Sequence, residues 1–268
     1  MFPAARPWPT RPARVVWLGR RSYEPMHALQ KALVDQRRGG QGEDLVLLLE
    51  HDPVVTLGRS AKHEHVLLTR EQLAARGVDL IETGRGGDVT YHGPGQLVGY
   101  PIFNLKPDRC DVRRYVASLA NFMALMAGRF GIEAGTVDGM IGVWADATTP
   151  DRWAGAPWAD DLAKVGAIGV RLSRWVSMHG FALNLHTDID AFQLIVPCGI
   201  REYGVASLTA LATKLEPAVT VPSVAEVALS ANVELARALD IEFDVVDDLS
   251  ALQDERALAA ELGLRLGE

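Results

Sequence analysis

The chain has 268 residues, 48% of them hydrophobic and 23% charged, with a formal net charge of −7. These values suit one globular domain with short additions and exclude a disordered or fibrous chain. Nine acids against Arg256 and Arg265 within residues 240–268 account for the whole net charge, so the body is near neutral and lacks a nucleic-acid binder's basic footprint.

Residues 1–13 are rich in proline and arginine, lack a signal peptide's apolar core, and read as a disordered lead-in. Val15-Val16-Trp17-Leu18 is a short strand. Residues 23–38 have apolar positions at helical spacing and stop at Gly39-Gly40. Residues 44–50 contain five consecutive aliphatic side chains, a strand buried on both faces. Pro53 opens a second strand, Val54-Val55-Thr56-Leu57. A helix over residues 70–76 starts at the N-cap Thr69 and ends at Gly77, and residues 78–81 form the next strand. Residues 85–96 read as a glycine-rich loop leading into a buried strand over 97–105. The helix over 111–130 presents Tyr115, Leu119, Phe122, Met123 and Met126 on one face, which reads as core. After a strand at 140–144, residues 145–161 form an irregular polar surface loop. Strands over 162–170 and 175–185 flank a polar hairpin at 171–174. Residues 14–218 read as one domain. Residues 219–268 are a C-terminal appendage, a helical pattern over 222–239 followed by the acidic tail. Strands and helices mix without a strict βαβ alternation, which predicts an α+β fold with a central mixed sheet flanked by helices.

The loop at 85–96 lacks the spacings of a dinucleotide or phosphate loop. By composition it is either an ordinary turn or a place where backbone comes close to a ligand. Cys198 sits between Pro197 and Gly199, and a cysteine so placed is either a small buried apolar residue or a presented thiol. Lys164 is a single amine in an apolar strand; it either faces solvent or lies buried, where the charged form of an amine is disfavoured. His92 and His179 read as satisfied structural imidazoles or as site residues, and His51, His63 and His65 gain less support. Cys110, in a polar turn, reads as incidental. No spacing suggests a metal. No apolar run reaches the roughly 18 residues of a membrane span. Two distant cysteines make no disulfide scaffold, so a reducing cytoplasm is expected.

Arg85-Gly86-Gly87-Asp88-Val89-Thr90-Tyr91-His92-Gly93-Pro94-Gly95-Gln96 resembles the signature of the lipoyl (octanoyl) transferase family. The segments starting at His51, Lys164, His179 and Pro197 resemble the family's other motifs in the same order, so the likeness runs from about Leu45 to about Leu211. The resemblance implies the biotin/lipoate transferase fold and a two-step acyl transfer. Cys198 would be the nucleophile and Lys164 its partner. Arg85, Gly86, Gly87, Asp88, Val89, Thr90, Tyr91 and His92 would bind substrate from the loop. Ala167, Ile168, Gly169, Gly180, Phe181 and Ala182 would line the acyl channel. The donor would be octanoyl-acyl carrier protein. The acceptors would be lipoyl domains of 2-oxoacid dehydrogenases and the glycine cleavage H protein, with no cofactor, metal, nucleic acid or membrane involved. Two other readings are an ATP-dependent lipoate- or biotin-type ligase and a non-catalytic lipoyl-domain binder. Gly93-Pro94-Gly95-Gln96 after the histidine departs from the ligase pattern, and the pairing of Lys164 with Cys198 argues for chemistry.

Overall fold

The aliphatic run at 45–49 demands cover on both faces, and the sheet is assembled around it. The computed structural model describes residues 8–196 and 203–264. Strands β1 (Arg11–Pro12) and β2 (Arg14–Arg21) precede helix α1 (Tyr23–Arg38), whose buried face carries Tyr23, Met26, Leu29, Leu33 and Val34. Strands β3 (Leu45–His51) and β4 (Val54–Leu57) follow. Helix α2 (Arg70–Ala74) is closed by a capping box between Thr69 and Gln72. Next come β5 (Asp79–Glu82), β6 (Val89–His92), β7 (Gln96–Ile102) and α3 (Val112–Gly128). Strands β8 (Ala134–Val137), β9 (Met140–Asp146), β10 (Leu162–Ser173) and β11 (Val176–Asn184) form a meander. The chain then passes through β12 (Gly204–Val205), α4 (Leu208–Ala212), α5 (Val224–Leu229) and α6 (Asn232–Leu239). It ends with β13 (Ile241–Glu242), β14 (Val246–Asp248) and α7 (Glu255–Glu261).

The main sheet runs β14-β2-β3-β7-β11-β10-β9-β8, with β12 paired to β10. Pairs β14–β2, β2–β3 and β10–β12 are parallel and the rest antiparallel, so the sheet is mixed, as predicted. Helices α3, α5 and α6 cover one face over a core containing Val46, Leu48, Phe122, Phe181 and Leu235. Helices α1 and α7 cover the other, with Leu47, Leu49, Val98, Tyr100 and Ala182. A separate sheet, β5-β4-β6, packs over Leu73 and Ile195.

Several elements differ from expectation. The glycine-rich stretch is not one loop: Val89–His92 is strand β6 of the small sheet, and the chain crosses to β7 of the main sheet through Gly93–Gly95. The hairpin over 171–174 shrinks to a two-residue turn, Arg174-Trp175, both at positive φ (51° and 72°). Such a turn matches the strand twist but usually recruits Asn or Gly, and neither stands at these two positions to signal it. The helical pattern over 222–239 breaks at Ser230, whose hydroxyl donates back to the Glu226 carbonyl (2.7 Å). The expected surface loop after β9 is closed at its neck by Asp146. Its carboxylate accepts N–H groups of Thr148 (2.8 Å), Thr149 (3.3 Å), Asp160 (3.0 Å) and Asp161 (3.4 Å).

Both ends of the described chain enter the sheet architecture. From the expected lead-in, Trp8 is buried and β1 pairs with β13. From the expected appendage, β14 extends the main sheet beyond β2. Buried Arg109 joins the two ends: its guanidinium donates to the carbonyls of Leu239 (3.1 Å), Asp240 (2.6 Å) and Pro9.

Candidate active site

A cleft opens where the small sheet meets the middle of the main sheet. It is lined by Tyr23, Arg85, Gly87, Asp88, Thr90, His92, Tyr100, Ala167, Ile168, Gly169, His179, Gly180, Phe181 and Ala182 and encloses about 490 Å³, its open mouth included. Strand register assembles one wall. Ala167 pairs with Ala182, Ile168 with Phe181 and Gly169 with Gly180. Small residues at four of these six positions leave the cleft's floor open. Gly180 could not be larger, since a Cβ there would stand 2.1 Å from the Gly99 carbonyl oxygen.

The loop supplies the opposite wall. Arg85 is buried and donates to the hydroxyl (3.0 Å) and carbonyl (2.7 Å) of Thr56 in β4 and to the Gly86 carbonyl (3.1 Å). Period-two alternation along β6 sends Thr90 and His92 to the cleft. Val89 and Tyr91 point the other way, into the core around Leu73, so these two expected site residues face away from the cleft. Gly86 also stays out of the lining; its N–H donates to the Val170 carbonyl (3.0 Å). Gly95, at φ +82°, approaches the His186 backbone, where a Cβ would meet its carbonyl carbon at 2.6 Å. That glycine serves chain packing rather than ligand approach.

A group of imidazoles and phenols stands behind the cleft. Tyr23 lies 4.9 Å from His51 and stacks on His92 at 6.2 Å, centroid to centroid. His51 is 5.8 Å from His92 and from Tyr100, and His27 is 5.5 Å from His179. His51 Nδ1 lies 2.9 Å from the Arg21 carbonyl, so it carries the proton, and Nε2 accepts from the Tyr100 hydroxyl (2.7 Å). Burial pushes His51 down to about 4 and His92 down to about 3, the latter helped by His51. His179 falls to about 3 through burial and its neighbours His27 and Arg85.

His179 has a left-handed backbone at φ +60°. Strict alternation along β11 would put its ring beside Phe181, under α3. The positive φ turns it to the α1 face, where it meets His27 and Tyr100. Its backbone N–H donates to Gln30 Oε1 (3.0 Å), and among the described residues neither ring nitrogen has a hydrogen-bond partner. Strained backbone of this kind concentrates at functional sites.

Lys164 is 8% exposed in β10, paired with Trp144 on one side and Val205 on the other. Its Nζ stands 4.7 Å from the Trp144 ring centroid. The β10–β9 register shifts between Lys164 and Gly166, a bulge that re-aims the strand as it enters the cleft. Lys164 itself is three residues short of the lining, which begins at Ala167. Cys198 lies outside the described residues. The chain that leads to it is fixed at Val196, whose N–H donates to the His65 carbonyl (2.7 Å). Beyond it, Gly204 and Val205 pair with Ala163 and Lys164. Cys110 is free and exposed.

Sequence reasoning did not single out Tyr23, which stands in a polar stretch, or Tyr100, although a phenol inside an apolar run like that around Tyr100 signals a buried hydroxyl that needs a partner. It also set aside His65, whose Nδ1 lies 2.5 Å from an Asp88 carboxylate oxygen and links the loop to the 194–196 segment. Among the described residues no group of His, Cys, Asp or Glu is arranged to hold a metal, and no helix is long and apolar enough to cross a membrane.

A nine-strand mixed sheet with a small second sheet folded over its centre defines a class, and comparison gives that class a name. Residues 22–232 match the lipoyl protein ligase A/B catalytic domain. The chain belongs to that family. Among solved structures, a bipartite lipoate protein ligase from Thermoplasma acidophilum superposes with a TM-score of 0.64 at 18% identity, over 96% of this chain and 99% of the other. A lipoate-protein ligase A bound with ATP gives 0.61 at 17% identity, over 94% of each chain. At these identities the likeness is one of fold. Closer relatives carry the name octanoyltransferase. That of Myxococcus xanthus is 52% identical over 71% of this chain and 51% of its own length. That of Koribacter versatilis is 47% identical, over 73% and 74%. That of Chloroflexus aggregans is 43% identical, over 77% and 88%. The chain thus spans about half of the Myxococcus relative and more of the other two.

Proposed function

We propose that this chain moves an octanoyl group from octanoyl-acyl carrier protein to a lysine amine on a lipoyl domain, through a thioester on Cys198. The family and the relatives named octanoyltransferase support acyl transfer in protein lipoylation. The observation that carries the reading is the β10–β11 wall, where small residues open an apolar floor on the same strand that holds Lys164. An eight-carbon acyl chain buried there gains about 5 kcal/mol at about 0.8 kcal/mol per CH₂.

In the first step the Cys198 thiolate attacks the donor thioester carbon, and the carrier thiolate leaves and takes a proton from Lys164. In the second a neutral lysine amine of the acceptor attacks the Cys198 thioester. The Cys198 thiolate leaves, the amide forms, and the amine's proton returns to Lys164. Neither step consumes a nucleotide. Lipoyl domains of 2-oxoacid dehydrogenases and the glycine cleavage H protein are the acceptors, and the cytoplasm is the setting. The test is transfer from octanoyl-acyl carrier protein to a lipoyl domain in dialysed, ATP-free buffer. Octanoyl amide should accumulate to completion. A strict requirement for ATP with free octanoate would overturn the transferase reading in favour of a ligase.

A further inference from the structure

Two buried amides have had no part in this chemistry. Gln96 opens β7 and Asn184 ends β11; they are direct register partners, 2% and 4% exposed. Asn184 Nδ2 donates to the Ala206 carbonyl (3.2 Å), and the Ala206 N–H donates to the Lys164 carbonyl (3.0 Å). A backbone carbonyl only accepts, so it fixes which way the Asn184 amide points. Asn184 Oδ1 must then face Gln96, and it accepts from Gln96 Nε2 (2.9 Å), which also reaches the Tyr91 carbonyl (3.3 Å). That leaves Gln96 Oε1 to face His92 Nδ1, at 2.7 Å. An amide oxygen only accepts, so Nδ1 carries the proton and the neutral ring keeps its lone pair on Nε2.

We infer that Gln96 and Asn184 are positioning residues: they carry the polarity of the Ala206 carbonyl through to His92 and hold its ring as a permanent hydrogen-bond acceptor in the cleft. The groups facing that ring are Tyr23 on α1, His51 on β3, Arg85 on the loop and His179 on β11, with Tyr100 of β7 bonded to His51. The cleft's carboxylate, Asp88, is engaged by His65. These neighbours do not favour an imidazolium, and burial keeps the ring neutral. His92 therefore takes an N–H or O–H donor rather than a proton. Under the acyl transfer proposed above, on which this ligand rests, the donor is an N–H of the attacking amine. Accepting it turns the amine's own lone pair toward the acyl carbon. The same relay ends on the Lys164 backbone and so sets the ring's position relative to that strand.

The tautomer can be read without any substrate. In the full chain labelled with ¹⁵N-histidine, long-range ¹H–¹⁵N spectra should show His92 protonated on Nδ1 and bare on Nε2, unchanged between about pH 8 and about pH 5. In Gln96→Glu a carboxylate replaces the amide oxygen and favours the charged ring. That ring should titrate within the same range. Below its new pKa the variant's kcat/KM for the acceptor should fall about tenfold more per pH unit than that of the wild type, whose own slope reports only protonation of the acceptor amine. An Nε2-protonated ring in the wild type overturns the inference, as does a Gln96→Glu ring and pH profile identical to wild type. If the tautomer is as stated but no octanoyl group moves in any form of the protein, the relay stands and the acyl reading falls.

Discussion

At the scale of single residues, the buried imidazoles tie the site to the stability of the fold. His51, His92 and His179 are held down to about 4, 3 and 3, mainly by burial. In the unfolded chain each would titrate near the ordinary value of about 6.5. Above that value both states are neutral and the imidazoles contribute no pH dependence. Below it the unfolded state binds protons that the native state refuses, so stability falls as pH falls, until the folded pKa values are reached. Each ring is worth up to about 1.4 kcal/mol per pH unit in that window. Three together should cost roughly 3 to 4 kcal/mol between pH 6 and pH 5. Urea unfolding at several pH values measures this directly. His51→Gln should flatten the slope by about one third, and a variant with the wild-type slope would mean that His51 is not held neutral.

At the scale of elements, β10 and β11 supply one wall of the cleft, where the proposed acyl chain would rest. Ala167 lines the cleft and sits opposite Ala182. Ala167→Leu should fill part of the floor and expel several methylenes of the bound chain. At about 0.8 kcal/mol per CH₂, each one displaced lowers kcat/KM about fourfold, so octanoyl should lose tenfold or more against hexanoyl. Unchanged selectivity would place the chain elsewhere. These two strands were also the most legible part of the site. A run of small residues in two adjacent strands can be read from sequence, and pairing then lays Ala167 to Gly169 against Gly180 to Ala182. Less legible was anything set by a single backbone torsion or a distant partner. The φ of His179 reverses the face its ring occupies, and alternation gives no warning of it. Gln96 and Asn184 look like ordinary strand-end amides until register makes them neighbours. The family resemblance implied substrate contacts for Val89 and Tyr91 on a stretch that read as loop; as strand β6, half its side chains must face the other way.

On the scale of the whole molecule, the acidic C-terminal region is bound to the body by arginines. Arg14 pairs with Asp247 (2.7 Å) and Glu261 (2.9 Å), and Arg21 donates to the carbonyls of Leu252 (2.7 Å) and Leu249 (3.3 Å). Together with β14 on the sheet, these contacts hold the flank next to β3, whose far end carries His51 into the site. The proposed transfer requires one covalent event, an acyl group resting on Cys198 between donor and acceptor. Intact-protein mass after brief incubation with octanoyl-acyl carrier protein, without a lipoyl domain, observes it directly. The expected result is the mass gain of one octanoyl group on the wild type and on Cys110→Ala, absent from Cys198→Ala and discharged when a lipoyl domain is added. Octanoyl transfer at the wild-type rate by Cys198→Ala, with no acyl adduct on any form, would contradict it.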